Sequence, residues 1–191
     1  MGKAVLISIK PRWCELIASE KKTIEVRKTR PKMLAPFKCY IYCTKAASKD
    51  ENLTPCNELS DVRNGKVIGE FTCDWCDWYK RNSADIVELA LGSLVQPREL
   101  YEYMGQNDGL YGWHISGLQI YEQPKELSEF YRWWDGLRDI RPCENGKDCK
   151  HLVYDYSEDC QACAIDFDGT DCPYLKIQRP PMSWCYVEEQ L

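Results

Sequence analysis

The sequence lacks the long apolar runs, the secretory leader and the internal repeats that mark membrane, secreted and repeat proteins. No apolar stretch approaches the roughly 20 residues that a membrane-spanning helix needs. The start, MGKAVLISIK, has neither the apolar segment nor the cleavage site of a signal peptide. We therefore expect a cytoplasmic protein without a membrane partner. A chain of 191 residues holds one well-packed domain and a smaller inserted module.

Positive charge is scarce overall and unevenly distributed. The net charge of −5 argues against a protein that coats nucleic acid without selectivity. Residues 1–49, however, hold twelve Lys or Arg against three Asp or Glu, and the rest of the chain holds thirteen against twenty-seven. This segregation predicts a basic surface in acidic surroundings. Such a surface suits one phosphate-bearing or nucleotide-like ligand better than a long duplex.

Short strands with small helices between them dominate the hydrophobic pattern. Strands are predicted at Ala4–Ile9, Lys22–Lys28, Phe37–Thr44 and Gly65–Asp74, in YGWHISGLQIY and in the second half of PPMSWCYVEE. Helices are predicted in PRWCELIASE, QPRELYEYMG and PKELSEFYRWW. The pattern predicts an α+β protein built on a compact, partly open β-barrel with short flanking helices.

The segment EKKTIEVRKTRP places basic residues around two apolar β-branched ones. In a strand the two apolar residues fall on one face, and Thr23, Glu25 and Arg27 share the polar opposite face. These three residues could line one wall of a cleft, where the planar fork of Arg27 suits a phosphate or a base edge. The alternative is a Glu25–Arg27 pair that only closes the rim of the barrel. The charge asymmetry favours the ligand site.

Several segments together resemble the ASCH domain of the PUA-like superfamily. They are LISIKPRWCELIASEKKTIEVRKTRP, YIYCTK, GKVIGEFTCD, YGWHIS and SWCYVEE, within residues 3–124 and 176–191. The most specific part is a K-T-x-E-x-R core, formed here by Lys22, Thr23, Glu25 and Arg27. The family usually has a glycine one or two residues before this lysine, where the present chain has Ser19-Glu20-Lys21.

The resemblance implies a small β-barrel with a cleft beside this strand, associated with RNA binding or nucleoside chemistry. The leading hypothesis is therefore recognition of RNA or a modified nucleoside through the K-T-x-E-x-R strand. Some compact relatives are amidohydrolases that act on acetylated cytidine with the motif lysine at the centre of the reaction. The alternative is thus an enzyme acting on N4-acylated cytidine, with Lys22 and Glu25 as catalytic residues and a lowered lysine pKa. Long insertions would crowd a small-nucleoside pocket, which favours the binder.

Two residues on later strands are further candidates for ligand contact. Glu70 lies between apolar neighbours in VIGEFTC, so it points either into the same cleft or out to solvent. Trp113 follows two glycines that permit close backbone approach, and it could stack on a base. The alternative for Trp113 is a place in the barrel core. The adjacent His114 is one of two histidines and is expected to be structural.

The twelve cysteines divide into scattered residues and one cluster. Scattered thiols that we expect to behave as small hydrophobic residues are Cys14, Cys39, Cys43, Cys56 and Cys185. Cys73 and Cys76 form a CxxC, but no βαβ pattern surrounds them, so a thioredoxin-like role is not expected.

The cluster in residues 143–172 has too little apolar content to fold without a disulfide or a bound metal. Its cysteines are Cys143, Cys149, Cys160, Cys163 and Cys172. A reducing compartment disfavours disulfides, so we predict structural zinc bound by four of these five. Iron–sulfur chemistry stays open, although its usual spacing is absent. The predicted domains are a barrel of 1–124 and 176–191, and an inserted helix plus cysteine-rich module of 125–175. In a second alternative this module makes the protein's contacts and the barrel is a scaffold.

Overall fold

The structure is a computed structural model that describes residues 2–45, 64–133, 152–155, 160–163 and 176–190. The described elements are β1 (Lys3–Ile9), α1 (Pro11–Ala18), β2 (Ile24–Arg27), β3 (Phe37–Cys43), β4 (Val67–Lys80), α2 (Ser83–Ser93), α3 (Pro97–Met104), β5 (Gly109–Lys125), a 3-10 turn (Leu127–Glu129), β6 (Leu152–Asp155), β7 (Cys160–Cys163) and β8 (Trp184–Glu188). None of these helices combines the length and the apolar character needed to cross a membrane.

Six of the strands form one mixed sheet in the order β2-β5-β4-β3-β1-β8. β1 and β3 run parallel, and every other neighbouring pair in this sheet is antiparallel. The sheet does not close on itself, since β2 and β8 are its two edges. Within the described residues, β6 and β7 form a separate antiparallel pair. These features confirm the predicted α+β class and the partly open barrel.

The sheet is covered by apolar residues on both faces, which explains why β1 is an almost uninterrupted apolar run. The first core takes alternate residues of β1 and β3 and contains Trp113. The second core takes the intervening residues, among them Tyr40, whose ring packs 5.0 Å from that of Phe130. The third core packs α2 and α3 against Ile24 and Val26 of β2. The strand that carries the motif is therefore enclosed between two cores.

Most predicted elements are confirmed, with shifted ends. Pro11 begins α1, Pro97 begins α3, and Gly105 follows the last residue of α3. β4 and β5 run further than predicted and pair as a long ribbon from Val67 to Lys80 and from Gly109 to Lys125. Gly69 lies at an irregularity of this pairing, where the register shifts. An added side chain at this position would meet the β5 backbone.

The helix predicted in PKELSEFYRWW is wrong over its described part. β5 continues to Lys125, one 3-10 turn follows at Leu127–Glu129, and Tyr131 and Arg132 form isolated β-bridges. The burial of Phe130 in the second core fixes this extended path, so tertiary packing overrides the local pattern.

The helix α2 is not apparent from the sequence. Its apolar residues occur on all sides of the helix: Ile86 and Leu89 are buried, whereas Val87 and Leu91 are exposed. The helical period is therefore weak, and the Asn82 cap is the clearest local signal.

Candidate functional site

A tight turn between α1 and β2 places Lys22 directly beside the end of the helix. The N–H of Lys21 donates to the Leu16 carbonyl at 3.0 Å, and the N–H of Glu20 donates to the Ile17 carbonyl at 2.8 Å. This pair of bonds is the Schellman pattern of helix termination. Glu20 occupies its left-handed position with φ of 58°, where glycine is usual. The N–H of Lys22 also donates to Leu16, at 3.0 Å.

The side chain of Lys22 is buried, at 2% exposure, and is surrounded by acceptors. Its Nζ donates to the carbonyls of Ile24 and Ser93, both at 2.8 Å. The same nitrogen lies 3.5 Å from Oε2 of Glu25. Burial lowers the pKa of Lys22, Glu25 opposes that shift, and Arg27 adds a smaller lowering. The three hydrogens of the ammonium group thus have three oxygen partners.

Glu25 and Arg27 form a buried ion pair that links the two edges of the sheet. Nη2 of Arg27 lies 3.0 Å from Oε1 of Glu25. The same guanidinium donates to the Ser8 carbonyl on β1 at 2.5 Å and to the Ser183 hydroxyl, just before β8, at 3.4 Å. Nε of Arg27 is buried and has no hydrogen-bond partner among the described residues. Lys22, Glu25 and Arg27 are called the ion cluster below.

All four residues of β2 are buried, so the face that carries Glu25 and Arg27 does not open to solvent. The role of these residues as one wall of a ligand cleft stays a prediction. Ile24 and Val26 pack in the third core. Glu25 is the register partner of Trp113, so its side chain shares the face of the first core. The contacts are those of the alternative interpretation, in which the pair closes the barrel.

Two basic and two aromatic residues next to the ion cluster form a group that we call the rim, in which Trp13 is partly buried and the other three are exposed. The rim consists of Arg12, Trp13, Lys28 and Tyr103. Nζ of Lys28 lies 5.0 Å from the centre of the Tyr103 ring, and the Arg12 guanidinium carbon lies 4.4 Å from the Trp13 ring. Tyr103 is 41% exposed.

The rim contacts the ion cluster at Lys22, and a surface ion pair links the two helices that carry rim residues. The Trp13 ring lies 5.1 Å from Nζ of Lys22. Burial raises the pKa of Tyr103, the charge of Arg27 lowers it and that of Glu25 raises it, and the phenol also accepts a hydrogen bond from the backbone of Lys28. At the surface, Arg12 on α1 forms an ion pair of 3.6 Å with Glu99 on α3, which links the two helices that carry the rim residues Trp13 and Tyr103. The rim and the cluster therefore form one continuous site.

The other candidate ligand residues lie at different places. Thr23 is exposed just before β2, and its hydroxyl donates to the Gly92 carbonyl at 3.4 Å. Trp113 has 0% exposure and packs edge-on at 5.9 Å from Phe37. It lies in the first core, so base stacking on its ring is excluded in this conformation.

Glu70 is not brought to the ion cluster. Its register partner is Tyr40, which belongs to the second core on the opposite face of the sheet. The Glu70 carboxylate accepts a hydrogen bond from the Tyr121 hydroxyl at 2.5 Å and lies 3.2 Å from Nζ of Lys38. His114 likewise has its own partner, Asp77, at 2.9 Å.

The sequence does not single out Trp13 and Tyr103 as site residues. Trp13 has the spacing of a core residue in α1, and the ring does pack partly against the first core. Tyr103 is far from the motif in sequence and reaches it only because α3 packs beside β2. Only the structure shows that each of these aromatic rings lies beside a cation, Trp13 beside Arg12 and Tyr103 beside Lys28.

Most of the predicted metal ligands lie outside the described residues, namely Cys143, Cys149 and Cys172, as does the scattered Cys56. Cys160 and Cys163 are the first and last residues of β7, whose backbone pairs with β6. In the part of the chain that the structure describes, no group of three or more His, Cys, Asp or Glu residues is arranged to hold a metal. The zinc site stays a prediction.

Comparison with solved structures identifies the fold. The chain matches the crystal structure of a point variant of the ASCH protein from Zymomonas mobilis with a TM-score of 0.53 and 13% identity, over 97% of this chain and 89% of the other. The chain has an ASCH-domain fold. The unsubstituted ASCH protein and a second variant each cover 65% of this chain at a TM-score of 0.47, with 18% and 17% identity, over 73% and 76% of their own lengths. No protein-family model and no curated protein matches.

Proposed function

We propose that this ASCH-fold chain binds single-stranded RNA and holds one nucleoside at the rim. The observation that carries the proposal is the exposed Lys28–Tyr103 pair, an aromatic face with a cation 5.0 Å away, next to the buried Glu25–Arg27 pair. The ASCH resemblance adds an association with RNA binding or nucleoside chemistry. The proposal therefore keeps the leading hypothesis and moves the contact surface from the motif strand to its surroundings.

The rim supplies the two interactions that single-stranded RNA needs. Unstacked bases bind to aromatic rings through their flat faces, and Tyr103 and Trp13 both present part of a ring to solvent. Phosphates bind to cations, and the side chains of Arg12 and Lys28 are exposed. The ligand must be small or locally extended, because acidic residues outnumber basic ones by about two to one in residues 50–191.

The ion cluster has a positioning role in this proposal. Arg27 fixes the end of β2, so the next residue, Lys28, leaves the strand at a defined place. Lys22 contacts Trp13 and joins the turn after α1 to the end of α2 at Ser93. Buried ion pairs contribute little net stability. The positioning role rests on the bonds of Arg27 to Ser8 and of Lys22 to Ile24 and Ser93. In this proposal Lys22, Glu25 and Arg27 act by positioning the rim.

Fluorescence anisotropy with a short labelled single-stranded RNA tests the proposal. We expect Tyr103→Ala to weaken binding by about 1–3 kcal/mol, the usual effect of losing a stacked base contact. Trp75→Ala is the matched control, because Trp75 is also exposed, at 50%, but stacks on His114 beside Asp77. We expect the control to bind like the unsubstituted chain. Equal affinity of a folded Tyr103→Ala variant contradicts the proposal.

The salt dependence of the same titration tests the phosphate contact. Lys28→Ala should lower the slope of log affinity against log salt by about 1, since one phosphate contact is lost. Lys80→Ala removes an exposed lysine at the far end of β4 and should leave the slope unchanged. A duplex of the same sequence should bind more weakly than the single strand, because paired bases cannot stack on the rim.

Amide hydrolysis is the second candidate function, favoured by the lowered pKa of Lys22 and its 3.5 Å distance from Glu25. A neutral amine at this place could act as a base, so activity on N4-acetylcytidine should then rise with pH as Lys22 loses its proton. Against it, Lys22 is 2% exposed and its hydrogens are engaged by backbone carbonyls. Acetate release that is lost in Lys22→Met and kept in Lys21→Met would establish the enzyme; we expect no release.

A further inference from the structure

Cys73 and Cys76 lie at a bulge of β4 that brings their side chains to the same face. Three steps along β4, from Cys73 to Cys76, correspond to two steps along β5, from Ile115 to Trp113. In a regular strand, residues three apart point to opposite faces and are separated by about 10 Å. The extra residue in β4 turns Cys76 onto the same face as Cys73 and shortens the distance between them. The two Sγ atoms are 3.5 Å apart.

The two thiols differ in access and in charge environment. Cys73 is fully buried in the first core, whereas Cys76 is half-buried at its edge. The hydrogen bond from Cys73 lowers the pKa of Cys76, burial opposes this, and the charge of Arg30 lowers it further while Asp77 raises it. The same hydrogen bond and burial raise the pKa of Cys73. The accessible sulfur is thus the better thiolate, and the buried sulfur carries the proton.

We propose that Cys73 and Cys76 form a dithiol that exchanges with low-molecular-weight disulfides of the glutathione type, with Cys76 as the attacking thiol and Cys73 as the resolving thiol. The proposal is independent of RNA binding. It differs from the thioredoxin-like role that the sequence argues against, because here the bulge of a strand, and no βαβ unit, creates the proximity and the asymmetry of the two thiols.

The exchange proceeds in two balanced steps. The Cys76 thiolate attacks one sulfur of the disulfide R–S–S–R, whose S–S bond breaks, and R–S⁻ leaves and takes up a proton. Cys76 is then a mixed disulfide and no longer a thiolate, so the interaction that holds the proton on Cys73 is gone. The Cys73 thiol loses its proton and attacks Sγ of Cys76, and the second R–S⁻ leaves. The protein dithiol is oxidised to a disulfide, and R–S–S–R is reduced to two R–SH.

The final bond requires little movement of the chain. A disulfide places its sulfurs about 2 Å apart, so the two Sγ atoms must approach by about 1.5 Å. Rotation of the two cysteine side chains at the bulge can bring the sulfurs together. In a regular strand the same bond would require the backbone hydrogen bonds to the neighbouring strand to break. The flanking register of β4 with β5 is therefore expected to persist after oxidation.

Peptide mapping of the reduced, full-length chain treated with glutathione disulfide tests the proposal. The tryptic peptide Val67–Lys80 carries Cys73 and Cys76 and no other cysteine, and the peptide starting at Ile177 carries Cys185 alone. We expect Val67–Lys80 to lose two hydrogens and to resist alkylation afterwards. Cys73→Ser should stop at a glutathione adduct on Cys76, because the resolving thiol is missing.

Cys185 is the matched control, since it is also half-buried but burial raises its pKa to about 11. Near pH 8, iodoacetamide should alkylate Cys76 in the Cys73→Ser variant about 10-fold faster than Cys185, a ratio that allows for the lower nucleophilicity of the more acidic thiol. Equal rates overturn the proposal. So does a Val67–Lys80 peptide that stays a dithiol under glutathione disulfide in the folded unsubstituted chain.

Discussion

At the scale of residues, the charged side chains of Lys22, Glu25 and Arg27 are buried and bind one another and nearby protein oxygens. Arg27 would be an exposed ligand contact if β2 had a solvent face, but Glu25, the Ser8 carbonyl and the Ser183 hydroxyl occupy its guanidinium. Glu25 in turn has the two cations of the ion cluster as partners. Removing one member leaves the others charged in a low-dielectric interior, which costs more than the intact pair contributes.

Arg27→Ala is therefore expected to lower the free energy of unfolding by about 3–5 kcal/mol, because the carboxylate of Glu25 keeps only Lys22 as a partner. Urea denaturation measures the loss. The triple change Glu25→Leu, Arg27→Leu and Lys22→Met should recover part of it, since no unpaired charge of the ion cluster is left. Arg12→Ala is the control: its ion pair with Glu99 is at the surface and should change stability by about 0.5 kcal/mol or less. Equal effects of the two arginine variants would contradict a buried role.

Glu20 carries backbone strain that a glycine would remove. Its left-handed φ of 58° costs a residue with a Cβ about 1–2 kcal/mol, and the greater unfolded-state freedom of glycine offsets part of that. Glu20→Gly should thus raise the free energy of unfolding by about 0.5–1 kcal/mol. Glu15→Gly, in the interior of α1, should lower it by about 1 kcal/mol. Destabilisation by both changes would show that the turn does not need the left-handed conformation.

At the scale of elements, side-chain hydrogen bonds connect the two edges of the sheet, β2 and β8, which share no backbone pairing. The segment after β2 meets β8 through a bond of 3.1 Å from Nε1 of Trp184 to the Thr29 hydroxyl. The N–H of Lys32 donates to the Tyr186 hydroxyl at 2.7 Å. Together with the reach of Arg27 to β1, these bonds hold the two edge strands near each other without a shared ladder.

The β6–β7 pair falls within the segment that we propose to be a zinc module. Thiolate zinc sites supply folding free energy to segments that have little apolar surface. Elemental analysis of protein prepared without chelator should find about one zinc per chain, and Cys163→Ser should lose it while the barrel stays folded. Cys185→Ser, in β8, should keep the metal. Metal-free protein with normal folding of the whole chain would exclude the module.

On the scale of the whole molecule, many buried thiols and phenols couple stability to alkaline pH. Burial raises the pKa of Cys39 well above its ordinary 9.0, and burial also raises the pKa of Tyr42 and Tyr79 above 10.0. The unfolded chain therefore ionises first, and stability that is complete below pH 9 is lost as pH rises above it. Lys22 acts in the opposite sense, since its lowered pKa favours the folded chain as pH rises towards 10.5. Cys76 acts in the same sense as Lys22, because the hydrogen bond from Cys73 lowers its pKa. These two groups oppose a larger number of thiols and phenols with raised pKa, so the net effect of rising pH is a loss of stability.

The free energy of unfolding should fall between about pH 8 and pH 10, with each such group contributing up to about 1.4 kcal/mol per pH unit. Cys39→Ala should make the fall shallower. Val5→Ala alters the register partner of Cys39 in the same core without removing a titrating group. It should lower stability at every pH and keep the slope. A profile that is flat over this range would contradict the linkage.

The fold was more predictable than the site. The apolar run of β1, the alternation along β3, and the prolines that begin α1 and α3 are local signals that the structure keeps. The burial of Glu25 and Arg27 depends on α2 and α3 covering the second face of β2, and α2 has no clear helical period. Tyr103 joins the motif only through that packing. Local sequence therefore drew attention to the motif strand, but it predicted neither the burial of Glu25 and Arg27 nor the position of Tyr103 beside them.

Photo-crosslinking tests the central claim, RNA contact at the rim, most directly. A single-stranded RNA with one 4-thiouridine is irradiated with the full chain, and tryptic peptides that carry the adduct are sequenced by mass spectrometry. The rim predicts adducts on Trp13 in the peptide Trp13–Lys21 and on Tyr103 in Glu99–Lys125. Adducts confined to Val67–Lys80 or to the cysteine-rich residues 143–172, with Trp13 and Tyr103 unmodified, would contradict it.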